Sequence, residues 1–157
     1  MAQQKSVNNE ETKQKSLREM PKSRGSVLIV DNDKDMCRIL SDIFKDSGIK
    51  VNIAYNGESA LAKVKKQPYD LMILDYKLSG ISGITVLGKA RQIRPNLKII
   101  MISAFGNESC KTRAKELGAY AFLDKPFNIK GLVKEVDRSS PDKKRNLEKK
   151  GGDKRWP

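Results

Sequence analysis

The sequence predicts an α/β fold: a five-stranded parallel sheet flanked by five helices and doubly wound, with helices on both faces. Three observations predict it. Short apolar runs recur at residues 26–30, 71–74 and 97–102, the first of them rich in β-branched residues, as expected of strands buried on both faces. Segments with apolar residues at helical spacing lie between them. The two kinds of segment alternate five times within 114 residues, the signature of parallel strands joined by crossover helices. The right-handedness of such crossovers leaves few topologies.

Taken in order, residues 26–30 (SVLIV) form the first strand, which stops at acidic residues. Over residues 34–45, Met36, Ile39, Leu40, Ile43 and Phe44 recur on one helical face, and Ser47-Gly48 ends the helix. Residues 50–55 (KVNIAY) alternate like a strand. Residues 58–66 place Ala60, Leu61 and Val64 on one face and close at Pro68. The run 71–74 (LMIL) is a buried strand that ends at Asp75. A glycine-rich loop (SGISG, 79–83) leads to a helix over 84–93 that stops before Pro95. Residues 97–102 (LKIIMI) form the fourth strand, ending at Ser103. A helix over 108–117 terminates at Gly118, residues 121–123 form a short strand, and Asn128 caps a last helix from Ile129 to about Arg138.

Composition limits the chemistry. The 157 residues include no histidine, which excludes an internal Ser-His-Asp or Cys-His base, a histidine metal ligand and a phosphohistidine. Cys37 and Cys110 lie far apart and outside any C-x-x-C pair, so they read as ordinary thiols, not as a disulfide framework or zinc knuckle. No apolar run approaches the roughly 20 residues of a membrane span, and the N-terminus lacks the apolar stretch of a signal peptide. A cytoplasmic location and no membrane insertion are expected. Residues 1–24 and 139–157 are polar and read as disordered tails around one domain at 25–138. Their excesses of positive charge are 3 and 4, against 6 for the domain, within a net charge of +13. Binding of nucleic acid through these tails, with Trp156 as a stacking group, is a minor alternative.

In a parallel sheet, side chains just past the carboxyl ends of the strands share one rim. Those positions hold Asp31, Asn32 and Asp33 after the first strand, Asp75 after the third, Ser103 after the fourth and Lys125 after the fifth. Crowded carboxylates need a cation, and oxygen donors without His or Cys suit a hard divalent ion, Mg²⁺ with Mn²⁺ as a substitute. The cluster has the parts for phosphoryl transfer to a carboxylate. Asp75 is the candidate nucleophile, Lys125 neutralises charge on the transferred group, and Ser103 donates a hydrogen bond to it.

At these residues the sequence resembles the receiver domains of two-component response regulators, over roughly residues 25–138. Five motifs occur in order: VLIVDND, LMILDYKLSGISG, MISA, the aromatic of AYAFLDKPF, and DKPF itself. The resemblance implies a flavodoxin-like receiver fold and a phosphoacceptor role for Asp75. It implies a Mg²⁺ site at Asp31, Asn32, Asp75 and the Lys77 backbone carbonyl, a hydroxyl at Ser103, a lysine at Lys125 and a cis Lys125-Pro126 bond. It further implies a switch through Ser103 and Phe122 that alters the face of the fourth helix, fifth strand and fifth helix. Phe122 reads equally well as plain core. The implied partners are a histidine kinase or histidine phosphotransfer protein upstream and a protein effector downstream. With about 19 residues after Arg138, a stand-alone regulator is expected, not an enzyme in the ordinary sense.

Three departures stand out. Asn32 occupies the position of a second carboxylate and removes one charge from the metal site, for which Asp33 is a possible substitute. Ser103 replaces a threonine, and Ser79 replaces a loop proline. Two rival readings follow: a degenerate receiver serving as an unphosphorylated interaction module, and a haloacid-dehalogenase-like phosphatase with Asp31 as nucleophile and Asp33 as general acid.

Overall fold

The computed structural model describes residues 24–139. Five strands and five helices alternate: β1 Ser26–Val30, α1 Lys34–Asp46, β2 Lys50–Ala54, α2 Gly57–Lys66, β3 Leu71–Asp75, α3 Gly83–Ile93, β4 Lys98–Ser103, α4 Glu108–Glu116, β5 Ala121–Asp124 and α5 Ile129–Ser139. All strand pairs are parallel, in the order β2-β1-β3-β4-β5. The expected tails lie outside the described residues except for Arg24 and Ser139, and Trp156 lies outside them entirely.

Alternate residues of each central strand feed two cores. Leu28, Val30, Met72 and Leu74 pack with Val64, Val86, Leu87 and Ala114 beneath α2, α3 and α4. Val27, Ile29, Leu71 and Ile73 pack with Leu40, Phe44, Leu132 and Val136 beneath α1 and α5. Burial on both faces explains why these strands read as unbroken apolar runs. The chain leaves β1 toward β2 on one side and resumes at β3 on the other. The order therefore reverses between β1 and β3, which opens a crevice at their carboxyl ends.

Element ends follow local chemistry. Asp33 caps α1 by accepting from the N–H groups of Asp35 and Met36 at 3.0 and 3.1 Å. Asn56, Ser82 and Asn107 cap α2, α3 and α4 in the same way. Asn128 accepts from Lys130 N–H at the start of α5, as expected. Gly48 and Gly118 leave α1 and α4 with φ of 79° and 87°, a region in which only glycine is unstrained. Where the expected bounds differ from the observed ones, they differ by one residue. The shifts at Asp75 and Ser103 matter, because both are the last residues of their strands, paired with Ile102 and Asp124. Ladder pairing uses only backbone groups, so it runs on through a polar side chain.

Candidate phosphoryl-acceptor site

A cleft of about 750 Å³ opens at the carboxyl edge of the sheet, lined by Asp31, Asn32, Asp33, Asp75, Ser103 and Lys125 together with the β3–α3 and β4–α4 loops. The rim residues anticipated from sequence thus come together, from strands separated by up to 94 positions. Asp31, Asp75 and Ser103 are 0, 6 and 4 % exposed. The Lys125 ammonium lies between the two carboxylates, 3.1 Å from Asp31 Oδ2 and 3.3 Å from Asp75 Oδ2. The peptide bond that follows it, Lys125-Pro126, is cis.

The electrostatics follow from this crowding. Burial, and next the negative charge of Asp31, raise the Asp75 pKa; the Lys125 charge and the Lys77 N–H, which donates to Asp75 Oδ1 at 3.3 Å, pull against them without cancelling them. Burial works against the Lys125 ammonium, but its hydrogen bonds and charge contacts with Asp31 and Asp75 outweigh it and raise the lysine pKa. Asp31 is held from the other side as well, because its Oδ1 accepts from Asp33 N–H at 2.9 Å. Ser103 Oγ accepts from Phe105 N–H at 3.1 Å, so this hydroxyl is tied to the loop yet keeps its own proton to donate.

Two residues stand apart. Asn32 is exposed at the mouth, where its amide reaches Ser79 Oγ across the cleft at 3.5 Å. Asp33 lines the cleft, and its Oδ1 caps the start of α1. Among the described residues no three His, Cys, Asp or Glu side chains converge as a metal site. The cleft is lined by the carboxylates of Asp31, Asp33 and Asp75, the Asn32 amide and Lys77. An all-oxygen set suits a hard divalent cation, and the raised Asp75 pKa shows a carboxylate pair that added positive charge would stabilise.

Phe122 is 1 % exposed. Its ring lies 6.3 Å from that of Tyr76, and Lys111 Nζ sits 5.9 Å from its centre while pairing with Asp124 at 2.9 Å. Sequence reasoning missed Phe105, which is 83 % exposed at the lip of the cleft, with Lys77 Nζ 5.9 Å from its ring centre. Its only signal was a large apolar residue in a loop directly after the MISA strand.

A parallel sheet in this order, with buried carboxylates and a lysine at the crevice, defines the flavodoxin-like receiver class. The chain belongs to it: the response regulator receiver domain family model matches residues 27–137. It is a receiver domain of two-component signalling. The chain is 34% identical over 115 residues to Sporulation initiation phosphotransferase F of Bacillus subtilis, covering 73% of this chain and 93% of that protein. It is 28% identical over 120 residues to Transcriptional regulatory protein ZraR of Salmonella typhimurium, covering 76% of this chain but 27% of that protein. Thus the chain spans nearly all of one curated relative and about a quarter of the other. Among solved structures, a CheY-like receiver domain protein from Methanospirillum hungatei superposes with a TM-score of 0.72 at 28% identity, over 76% of this chain and 96% of that one. A two-component response regulator from Clostridium difficile matches with a TM-score of 0.69 at 31% identity, over 73% and 93%.

The family match and the geometry both oppose the phosphatase reading. Asp31 is fully buried against Lys125, and Asp33 is occupied as a cap. Among the described residues, no helix is long and apolar enough to cross a membrane.

Proposed function

We propose that Asp75 accepts a phosphoryl group from a phosphohistidine on a partner kinase or phosphotransfer protein. One observation carries the reading: the Lys125 ammonium lies within 3.3 Å of both buried carboxylates at the switch point of the sheet. An oxygen of the Asp75 carboxylate attacks phosphorus, the P–N bond to the donor imidazole breaks, and the imidazole leaves with a proton. The product is an acyl phosphate on Asp75. Lys125 neutralises charge on the equatorial oxygens, and Ser103 turns its O–H toward one of them. Mg²⁺, or Mn²⁺ in its place, would be held by Asp31, Asp75, Asn32 and the Lys77 carbonyl, and it supplies further neutralisation of the transferred group. The histidine absent from this chain then belongs to the donor.

The phosphoryl group adds about two negative charges beside Ser103. Drawing Ser103 inward pulls on the loop to Phe105, to which it is hydrogen-bonded, and on Gly106, which abuts the Phe122 ring. Phe122 and the Lys111–Asp124 pair follow, shifting the populations of the α4–β5–α5 face that a protein effector reads.

The test is incubation with Mg²⁺ and acetyl phosphate, followed by intact mass. Gain of one phosphoryl group, abolished in Asp75→Ala, is expected. No gain at millimolar Mg²⁺ would overturn the reading in favour of an unphosphorylated interaction module, the alternative that the exposed and uncharged Asn32 supports.

A further inference from the structure

Positive charge is concentrated in the stretch from α2 to the start of β4, although one of its cations, Lys77, lines the cleft. Residues 57–98 hold eight Lys or Arg against three Asp or Glu, so this stretch carries five of the domain's excess of six. The acids are few and engaged, although Asp70 lines a pocket together with Arg94 and Lys98. Asp75 lies in the cleft, Asp70 accepts from Ser26 N–H at 2.8 Å, and Glu58 sits in the first turn of α2 beside Gly80. The last turn of α2, by contrast, carries Lys63, Lys65 and Lys66. Among the described residues none of these three lysines meets a carboxylate.

Neighbouring arginines extend the patch. Arg94 spans from the end of α3 to α2, donating from Nε to Val64 O at 3.1 Å and from Nη2 to Lys65 O at 3.3 Å. Arg91 donates to Leu97 O at 3.1 Å and lies against Gly118, at the end of α4. These bonds fix the Arg94 guanidinium against the last turn of α2, which carries the three lysines, and the Arg91 guanidinium at the other side of the α3 end, toward α4. One cation per last turn complements a helix dipole. Five around the ends of two adjacent helices repel each other and exceed that need, which points to an anionic partner.

The chain ends join the domain at the same edge. Arg24 N–H donates to Gly48 O, and Val136 in the last turn of α5 lies beside Gly25. The segments attached there, 1–24 and 139–157, carry the remaining excesses of +3 and +4.

We propose that the Lys63, Lys65, Lys66, Arg91 and Arg94 arc binds the phosphate backbone of nucleic acid without reading base sequence. The surface chemistry selects this class of polyanion. The exposed large apolar side chains among the described residues are Ile39, Tyr55 and Phe105, none of which lies in the arc. A protein interface is built around apolar and aromatic anchors, and a helix lying on a membrane inserts an apolar face. Phosphate contacts require neither.

The experiment titrates the full chain against a short mixed-sequence duplex DNA by fluorescence anisotropy over a range of salt. It compares wild type with Lys63→Gln/Lys65→Gln/Lys66→Gln, and with Lys143→Gln/Lys144→Gln/Arg145→Gln, which removes the same charge from the 139–157 segment. Circular dichroism and thermal unfolding check that each variant is folded. The α2 variant is expected to flatten the slope of log K against log salt by about 2.7 and to weaken binding about 100-fold near 0.15 M salt, on the basis of three lost phosphate contacts. The 139–157 variant should lose distinctly less. Equal losses in the two variants would make binding a matter of net charge and overturn the proposal. So would an unchanged α2 variant, or tighter binding of phosphatidylserine vesicles or polyglutamate than of DNA at the same salt.

Discussion

Replacing Lys125 by Gln removes the charge that holds Asp31 and Asp75 together while keeping most of the side chain. Each carboxylate lies 3.1 to 3.3 Å from Nζ, which at an effective dielectric of about 20 corresponds to about 5 kcal/mol of gross attraction per pair. Desolvation of three groups offsets most of this. Breaking one side of a buried pair costs about 3–5 kcal/mol, and with the lysine side chain 20% exposed the lower end, about 3 kcal/mol, is expected. Urea unfolding in EDTA measures it: at an m-value of about 2 kcal/mol/M the midpoint falls by about 1.5 M. The sign with pH is also set. Lys125 pulls the raised Asp75 pKa down, so its loss lifts that pKa further. A carboxyl with a raised folded pKa adds stability below its free value of 3.8, and that stability is lost as pH rises through the folded value. The variant's deficit must therefore shrink on acidification, and Asp31→Asn in the same chain must reduce it at neutral pH. A variant within about 0.5 kcal/mol of wild type at pH 7, a size typical of plain surface changes, or a deficit independent of pH, would refute the account.

Asn32→Asp restores a charge at the mouth of the cleft and should tighten Mg²⁺ about tenfold by calorimetry, since a unit charge about 4 Å from a dication gains about 2 kcal/mol in water before screening; unchanged affinity would place Asn32 outside the metal site. In Gly83→Ala, the new Cβ would stand 2.8 Å from Tyr76 Cα and closer still to the Asp75 carbonyl oxygen, both backbone atoms at the end of β3. A cost of about 2 kcal/mol and a fall of about 10 °C in Tm are expected, and calorimetry showing wild-type Tm would contradict the close packing. Cys37 is buried and its pKa is pushed up to about 11, first by burial and then by Asp31. That thiol stabilises the fold below its free value of 9.0, and the contribution is lost between there and about 11. The stability of wild type relative to Cys37→Ala should fall by up to about 2.7 kcal/mol over that range, and a flat difference would exclude the thiol as the cause.

The fold was legible because its determinants are local and periodic. SVLIV, LMIL and LKIIMI read as strands buried on both faces, and Asn128, Gly48 and Gly118 marked helix ends that the structure places within a residue or two. The rim was legible for the same reason: a parallel sheet puts strand ends on one edge, so Asp31, Asp75, Ser103 and Lys125 could be grouped without coordinates. Asp33 was harder. Ligand and helix cap use the same carboxylate, and the choice depends on whether the next turn presents free N–H groups to it. The exposure of Phe105 was not legible, because exposure of a loop side chain depends on what packs over it.

By itself the sequence determined the order of elements, the chemical types at the rim and the lack of histidine, since these follow from residue identity and spacing along the chain. Only the tertiary structure decided that Lys125 sits between Asp31 and Asp75, that Asn32 faces solvent, and that Arg94 joins the lysines of α2 in one basic arc. Those outcomes turn on desolvation and charge over a few ångströms. The groups responsible are brought within that range from positions 29 to 94 residues apart only when the sheet is assembled.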